Sequence, residues 1–280
     1  MLRTILTATA LTTILATSAL ADVIPALHDA LPQTYKDNGI KAAVFNDWAP
    51  DEFLDSDGQL KGWSVDIAKE METRLGVPFT FEGTSFDAII PGLMSRRFDA
   101  GFASFGTTPE RLQAIDFVAQ RKIGTAFAYP MDSELDIRAP GDVCGLTVAV
   151  LNGSWDLDLL EKLNAADCKD DPVVLQMHGT QAQAELAVRS RRAQATVTGS
   201  VKLAYMAKQT GDLKVSDLVL APVNSCIGVR KDDPLGQVMA DTIQSMIDDG
   251  TYREIMAKWG LDDAGMLTAG LLITEEHPDL

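Results

Sequence analysis

The 280-residue chain is 46% hydrophobic and 23% charged, which is ordinary globular composition with enough length for one large core or two smaller ones. Its formal net charge is -16 and its isoelectric point is about 4.5. Such a charge repels phosphate backbones and anionic lipid, so nucleic acid and membrane surfaces are excluded as expected partners.

The N-terminal segment has the pattern of an export signal. Arg3 supplies positive charge, the stretch from Ile5 to Leu20 is apolar or hydroxylic, and Ala19-Leu20-Ala21 has the small-x-small pattern of a signal-peptidase site. The alternative is a membrane anchor, but the stretch is rich in Thr and shorter than the ~20 strongly apolar residues of a spanning helix. We therefore expect a signal peptide at residues 1–21, cleavage after Ala21, and a mature periplasmic protein without a lipid-bearing cysteine.

Strand-like runs alternate with helical patterns along the first half of the chain, which is typical of βα units and largely parallel sheets. The predicted strands are 40–45, 78–81 and 98–104, with a hairpin turn at 55–58 and helices at 65–75 and 86–94. We expect Pro91-Gly92 to interrupt the second helix. The turn at 55–58 lacks the further acids of a calcium loop, so it predicts no metal site.

A second α/β set begins after about Lys122. Its predicted strands are 125–129, 146–151, 173–175 and 195–198, with helical segments opening near Ser154 and covering 180–190. An apolar stripe from Leu235 to Ile247 predicts a helix that stops at Gly250, and Thr251 is predicted to cap the next one. The tail from 262 to 280 shows no clear periodicity.

Three cysteines leave an odd one in a chain expected to reach an oxidising compartment. We predict that Cys144 pairs with Cys168, because they flank one predicted strand-turn-helix unit. Closing that loop stabilises by about 3 kcal/mol in the chain-entropy model. Cys226 lies in an apolar run and is predicted to be a buried thiol.

Motifs of catalysis are missing from the sequence. His28, His178 and His277 are isolated, and the chain has no metal-ligand spacing, no nucleophile elbow and no phosphate-binding glycine loop. Gly153-Ser154 and Gly199-Ser200 follow strands, where backbone N–H groups can meet an anion, although Gly-Ser is common at any such turn. We expect no cofactor, no metal and no catalytic residues.

The segment from Ser104 to Arg111 carries the strongest local signal. Thr108 as N-cap and Pro109 at the first helical position begin a helix, which places Arg111 in its first turn. The helix macrodipole disfavours a cation at this position by about 0.3 to 1 kcal/mol. An anion bound by the Arg111 side chain would explain why an arginine occurs there. A salt bridge to Glu110 or a solvated side chain explains it equally well from this segment alone.

Several motifs in a fixed order resemble one protein family. They are GQLKGWSVDIAK from Gly58, FDAIIPGL from Phe86, TPER from Thr108, and DGTY from Asp249 with KWG from Lys258. From Gly39 to Gly260 the chain resembles the bacterial extracellular solute-binding proteins of family 3, which bind polar amino acids for ABC importers.

The resemblance implies an α/β architecture, the two-lobe type II periplasmic binding protein fold with two hinge crossings. Lobe 1 would comprise residues 22–122 and 225–280, and lobe 2 residues 126–222. The crossings are expected near 122–124 and 223–226. Ligand would bind between the lobes, and the implied partner is an inner-membrane ABC permease. We expect the protein to be a monomer.

The resemblance also implies ligand-binding positions. Arg111 would pair with the ligand's carboxylate, a bidentate task that Lys does not reproduce. The other implied positions are Trp48, Asp51, Phe86, Ser104, Phe105, Gly106, Gly153, Ser154, Trp155, Gly199 and Ser200.

Three of these positions depart from the family pattern, and the first is Gly106, where relatives usually carry Ser or Thr. Relatives carry an acid for the ligand's amine where this chain has Gly199, and an aromatic residue where it has Asp51. We hypothesise that Asp51, ahead of Asp47, takes the amine, with Trp48 adding cation–π attraction of about 1 kcal/mol. The alternatives are that both acids are solvated, or that the ligand's amine is modified or absent.

The sequence therefore predicts a binding protein for an amino acid or an amino-acid-like small carboxylate, and not an enzyme. The rival is an enzyme on the same fold that resembles the cyclohexadienyl dehydratases. That chemistry needs a general acid in the cleft, and Gly199 supplies none.

Overall fold

The computed structural model describes residues 23–261 and 265–278. The predicted export signal and its cleavage site after Ala21 lie outside these ranges. The helices are α1 Pro25–Ala30, α2 Gln33–Asn38, α3 Trp63–Leu75, α4 Phe86–Met94, α5 Pro109–Ala114, α6 Trp155–Ala166, α7 Gln181–Arg189, α8 Ser200–Thr210, α9 Pro234–Asp249 and α10 Thr251–Lys258, and a 3-10 turn spans Pro140–Val143. The strands are β1 Ile40–Val44, β2 Asp47–Trp48, β3 Glu52–Leu54, β4 Leu60–Lys61, β5 Phe79–Gly83, β6 Ala100–Phe105, β7 Ile115–Pro130, β8 Thr147–Leu151, β9 Val174–His178, β10 Ala195–Gly199, β11 Leu213–Arg230 and β12 Leu272–Ile273.

One mixed sheet runs through the molecule in the order β5-β1-β6-β11-β7-β10-β8-β9, with β12 paired to β7. At one end β5, β1 and β6 are parallel, and at the other end β10, β8 and β9 are parallel. Strands β2, β3 and β4 form a separate small sheet. The half with β1, β5 and β6 is called lobe 1 below, and the half with β8, β9 and β10 is called lobe 2.

Strands β7 and β11 connect the lobes as an antiparallel pair. Strand β11 pairs with β6 of lobe 1 through 226–229, while β7 pairs with β10 of lobe 2 through 125–128. Between these regions Val223 pairs with Ile123, and the register of β11 shifts at three places. The predicted α/β fold with two hinge crossings is therefore confirmed, and the crossings lie side by side.

The apolar residues collect in separate clusters. One large cluster fills lobe 1 around Trp63, Phe102 and Met239, while two smaller clusters pack on either face of the lobe 2 strands, around Leu160 and around Leu203. No helix within residues 23–261 or 265–278 is both long enough and apolar enough to cross a membrane.

Two local expectations are corrected. Helix α4 continues through Pro91 instead of breaking there. Its residues Ile89 and Leu93 are fully buried, and this packing outweighs the backbone hydrogen bond that proline removes. The cap of α10 is Gly250, with φ of 89°, and not Thr251, whose hydroxyl instead accepts a hydrogen bond from Arg74.

The disulfide prediction is confirmed. Cys144 and Cys168 are bridged across a sequence separation of 24, with their Cα atoms 5.1 Å apart. The bridge ties the start of β8 to the end of α6 in lobe 2. Cys226 lies outside the bridge and is buried in lobe 1.

Candidate functional site

A narrow cleft separates the lobes next to the hinge strands. The cavity between its walls measures about 30 Å³, far below the ~300–1,000 Å³ of ligand pockets. The walls are therefore nearly closed on one another. The lining residues are Trp48, Phe86, Ala103, Ser104, Gly106, Ile123, Thr125, Leu151, Ser154, Trp155, Asp156, Gly199 and Val223.

Arg111 lies beside this cleft and contacts both lobes. Thr108 caps α5 as predicted, because its hydroxyl accepts a hydrogen bond from the Arg111 backbone N–H. The guanidinium donates from Nη1 to the Gly106 carbonyl at 2.6 Å and from Nη2 to the Gly153 carbonyl at 2.5 Å. It also lies 5.6 Å from the centre of the Phe86 ring. A cation is thus held between the two walls by neutral acceptors.

The charges around Arg111 come from both lobes, Asp158 and Asp156 of lobe 2 and Glu110 of lobe 1. Burial lowers the pKa of Arg111, and the carboxylates of Asp158 and Asp156 oppose that effect. Arginine keeps its charge under such conditions, because the guanidinium group is not deprotonated in proteins. The guanidinium has five N–H donors in a planar fork, which leaves donors for a carboxylate in the cleft.

Asp156 is the carboxylate in the cleft wall. It follows the N-cap Ser154 in the first turn of α6, and only 7% of its surface is exposed. Its Oδ1 accepts a hydrogen bond from the Thr125 hydroxyl at 2.9 Å. Burial raises the pKa of Asp156 to about 6, against the opposing effects of the Thr125 and Thr198 hydroxyls and Arg111. A group with such a pKa changes charge in response to a nearby cation.

Asp51 lies behind the cleft wall, next to Ser104, and does not line the cavity. It is 2% exposed, and its Oδ2 accepts a 2.6 Å hydrogen bond from the hydroxyl of Ser104, which does line the cleft. Burial raises the pKa of Asp51, and burial together with the Asp51 charge raises that of neighbouring Glu52 well above its usual range. Asp51 therefore supports Ser104 instead of facing the ligand space as we expected.

Trp48 faces a lysine from the opposite lobe. The Nζ of Lys202 on α8 lies 4.9 Å from the centre of the Trp48 ring and 3.6 Å from Glu185 Oε1. It also donates a long hydrogen bond of 3.4 Å to the Asp47 carbonyl. The cation–π partner of Trp48 is thus a side chain of this protein, where the sequence had suggested a ligand amine.

The predicted positions separate into three groups. The cleft wall brings together Trp48, Phe86, Ser104, Gly106, Ser154, Trp155 and Gly199. Arg111 and Gly153 meet at its edge through their hydrogen bond. Phe105 is fully buried behind Phe86, Asp51 lies below Ser104, and Ser200 lines a different depression with Arg121 and Tyr205.

Comparison with known proteins identifies the family. The model of the bacterial extracellular solute-binding proteins, family 3, matches residues 40–262, which is most of the chain. The chain belongs to this family.

Three similar proteins are named as amino-acid-binding proteins. The arginine-binding protein ArgT of Corynebacterium glutamicum is 30% identical over 258 residues, covering 90% of this chain and 84% of ArgT. An ancestral arginine-binding protein bound to arginine has a TM-score of 0.73 at 28% identity, covering 79% of this chain and 97% of that one. An ancestral amino acid-binding protein, AncCDT-1, described as a precursor of cyclohexadienyl dehydratase, has a TM-score of 0.72 at 28% identity and covers 81% of this chain and 98% of its own.

Sequence reasoning missed Asp156 and Lys202 in this family 3 protein. An acid in the first turn of a helix is common because the macrodipole favours it, so Asp156 carried no distinct signal. Its position directly after Gly153-Ser154-Trp155, itself at a strand end, was the available clue. Lys202 is in the first turn of α8, and a lysine on a helix is normally interpreted as exposed.

Gly106 provides a test of lobe contact. A Cβ atom at Gly106 would lie 2.8 Å from the Trp155 Cβ across the cleft. Gly106→Ala should therefore hold the lobes apart and weaken ligand binding by about 5- to 150-fold, the scale of overpacking by about 1–3 kcal/mol. Titration calorimetry measures the affinity.

The matched control is Gly141→Ala, because a Cβ atom there meets nothing within 4 Å. Both variants should melt at nearly the temperature of the parent when no ligand is added, since the clash arises between lobes and not inside one. Unchanged affinity in Gly106→Ala would show that Trp155 moves aside at no cost.

Proposed function

We propose that this protein captures an amino acid, or a closely related small zwitterion, for an ABC importer, and that the ligand's carboxylate binds Arg111. The observation that carries the proposal is the guanidinium held between the Gly106 and Gly153 carbonyls, over the ring of Phe86. Arginine presents a planar fork that matches a carboxylate bidentately. A ligand bound there contacts both walls and favours their closure.

The experiment is a thermal-shift screen of the purified mature protein, followed by titration calorimetry of each hit. The panel contains the twenty proteinogenic L-amino acids, L-cystine, opines, betaines and small carboxylates. We expect the largest shifts from zwitterions, because a carboxylate, Asp156, lines the cleft and a cation, Arg111, lies at its edge. Stabilisation by carboxylates alone would narrow the ligand class, and a panel without any hit would contradict the proposal.

We further propose that the protein binds its ligand without converting it. Arginine-binding relatives support this inference, whereas AncCDT-1 shows why a test is needed. Incubation with prephenate or arogenate, followed by chromatography, should give no product above the buffer control. Product that disappears in Asp156→Asn would overturn the proposal, because Asp156 is the carboxyl group placed to donate a proton in this cleft.

We also propose a periplasmic location and the lobe boundaries expected from the sequence, with lobe 1 at 22–122 and 225–280 and lobe 2 at 126–222. The change of partner strands along β7 and β11 supports these boundaries. N-terminal sequencing of exported protein should begin at Asp22. Light scattering should give the mass of a monomer, and co-purification with a membrane permease would identify the importer.

A further inference from the structure

The cleft pairs one cation with one carboxylate from opposite lobes. Arg111 extends from α5 of lobe 1, and Asp156 extends from α6 of lobe 2. The two groups are close enough that each affects the pKa of the other. A zwitterionic ligand has the same two charges in reverse order, so it could satisfy both walls at once.

We propose that Asp156 is the residue that binds the ligand's α-ammonium group, in place of an acid at the end of β10, where this chain has Gly199. This inference rests on the proposed function and specifies how the same cleft selects its ligand. It assigns the amine to lobe 2, and it replaces the hypothesis that Asp51 or Asp47 supplies the counter-charge.

The surroundings of Asp156 fit this task. Thr125 on β7 fixes one carboxylate oxygen by its hydroxyl, and the hydroxyl of Thr198 on β10 faces the same group. Arg111 is the charged side chain that acts on it from the opposite wall. The remaining support comes from the first turn of α6, where a negative charge is favoured by the helix dipole. The carboxylate is therefore oriented by neutral groups, and the cation that acts on it, Arg111, belongs to the opposite lobe.

Burial makes this carboxylate responsive to the ligand. An ammonium ion next to a carboxylate favours its ionised form. With a pKa of about 6, Asp156 should release about half a proton when the ligand binds at pH 6, and almost none at pH 8. Affinity should then fall as the pH drops below 6, because protonated Asp156 cannot pair with the ammonium.

The first experiment compares Asp156→Asn with Asp158→Asn. Both variants remove one acid from α6 and both acids act on Arg111, but Asp158 does not line the cleft. The probes are the proteinogenic amino acid that binds most tightly in the screen and its α-deamino analogue. Asp156→Asn should weaken binding of the amino acid about 100-fold, the scale of truncating one partner of a buried charge pair. Asp156→Asn should change the affinity for the deamino analogue by about threefold or less. Asp158→Asn should change the affinity for either probe by about threefold or less.

The second experiment moves the acid to the end of β10. A Cβ atom at Gly199 meets only Ile123 Cδ1, at an ordinary 3.4 Å, and its φ of -52° suits any residue. Gly199→Asp in the Asp156→Asn background should recover at least about tenfold of the lost affinity, because it returns one negative charge to the same wall.

Calorimetry in two buffers of different ionisation enthalpy should show proton release at pH 6 for the parent and none for Asp156→Asn.

Folding of the variant is checked separately. Burial raises the folded-state pKa of Asp156 above its unfolded value of 3.8, so its contribution to stability is lost as the pH rises through about 6. Asp156→Asn should therefore melt at or above the temperature of the parent at pH 7.5. A lower melting temperature would contradict the raised pKa.

The outcomes distinguish this inference from the proposed function. Tight binding of an amino acid by Asp156→Asn, with unchanged proton release, overturns the inference and leaves the proposed function intact. Equal losses in Asp156→Asn and Asp158→Asn would also overturn it, since a general charge effect would then suffice. If the parent binds no member of the panel, the proposed function itself is wrong.

Discussion

Replacing Arg111 with Ala should weaken ligand binding by about 2 to 5 kcal/mol, the scale of removing one partner of a buried charged contact. The loss has two sources. The ligand's carboxylate would lose its cation, and the closed cleft would lose the bridge between the Gly106 and Gly153 carbonyls. The fold should be unaffected, because the guanidinium lies at the cleft edge and not within either lobe core.

Titration calorimetry with the ligand found by thermal shift measures this effect. Arg111→Lys keeps the charge but cannot form the bidentate contact, so it should recover only part of the affinity. Arg192→Ala is the matched control, because Arg192 is an exposed arginine of lobe 2 that contacts Ser190. Near-parental affinity of Arg111→Ala for the ligand would show that Arg111 does not bind the ligand's carboxylate.

Removing the disulfide should lower the free energy of unfolding by about 3 kcal/mol, because the open loop gains conformational entropy in the unfolded chain. The double variant carries Cys144→Ala and Cys168→Ala, and chemical denaturation measures its stability. The bridge lies in lobe 2, away from the cleft residues, so ligand affinity at low temperature should be unchanged.

Reductant supplies the control for this prediction. It should destabilise the parent by a similar amount and leave the double variant unchanged, since Cys226 takes no part in the bridge. If both proteins unfold at the same denaturant concentration without reductant, the loop does not contribute as the entropy argument requires.

The fold was predictable because its signals are local. The alternation of strands and helices, the Thr108 cap and the stop at Gly250 depend on residues close in sequence, and the structure contains each of them. The continuation of α4 through Pro91 was not predictable in this way, because it depends on burial against distant residues of lobe 1.

The site was predictable only in part. Strand β6 is buried on both faces, so alternation could not show that Ser104 lines the cleft while Phe105 points into the core. The placement of Asp51 depends on a tertiary contact with Gly62. A Cβ atom at residue 62 would lie 1.8 Å from the backbone carbonyl oxygen of Asp51 and would clash with it. Only a glycine at 62 lets the loop fold inward, and sequence patterns do not reveal such tertiary approaches.

The paired hinge strands constrain how the cleft can open. Two hydrogen-bonded strands resist stretching but bend and twist where their ladder is interrupted, and β11 shifts register at Val215/Val219, Leu220/Val223 and Ser225/Cys226. Opening is therefore a rotation about this ribbon and not a separation of the lobes. A small change of angle at the ribbon becomes a large displacement at β5 and β9, because these strands are the outer edges of the sheet.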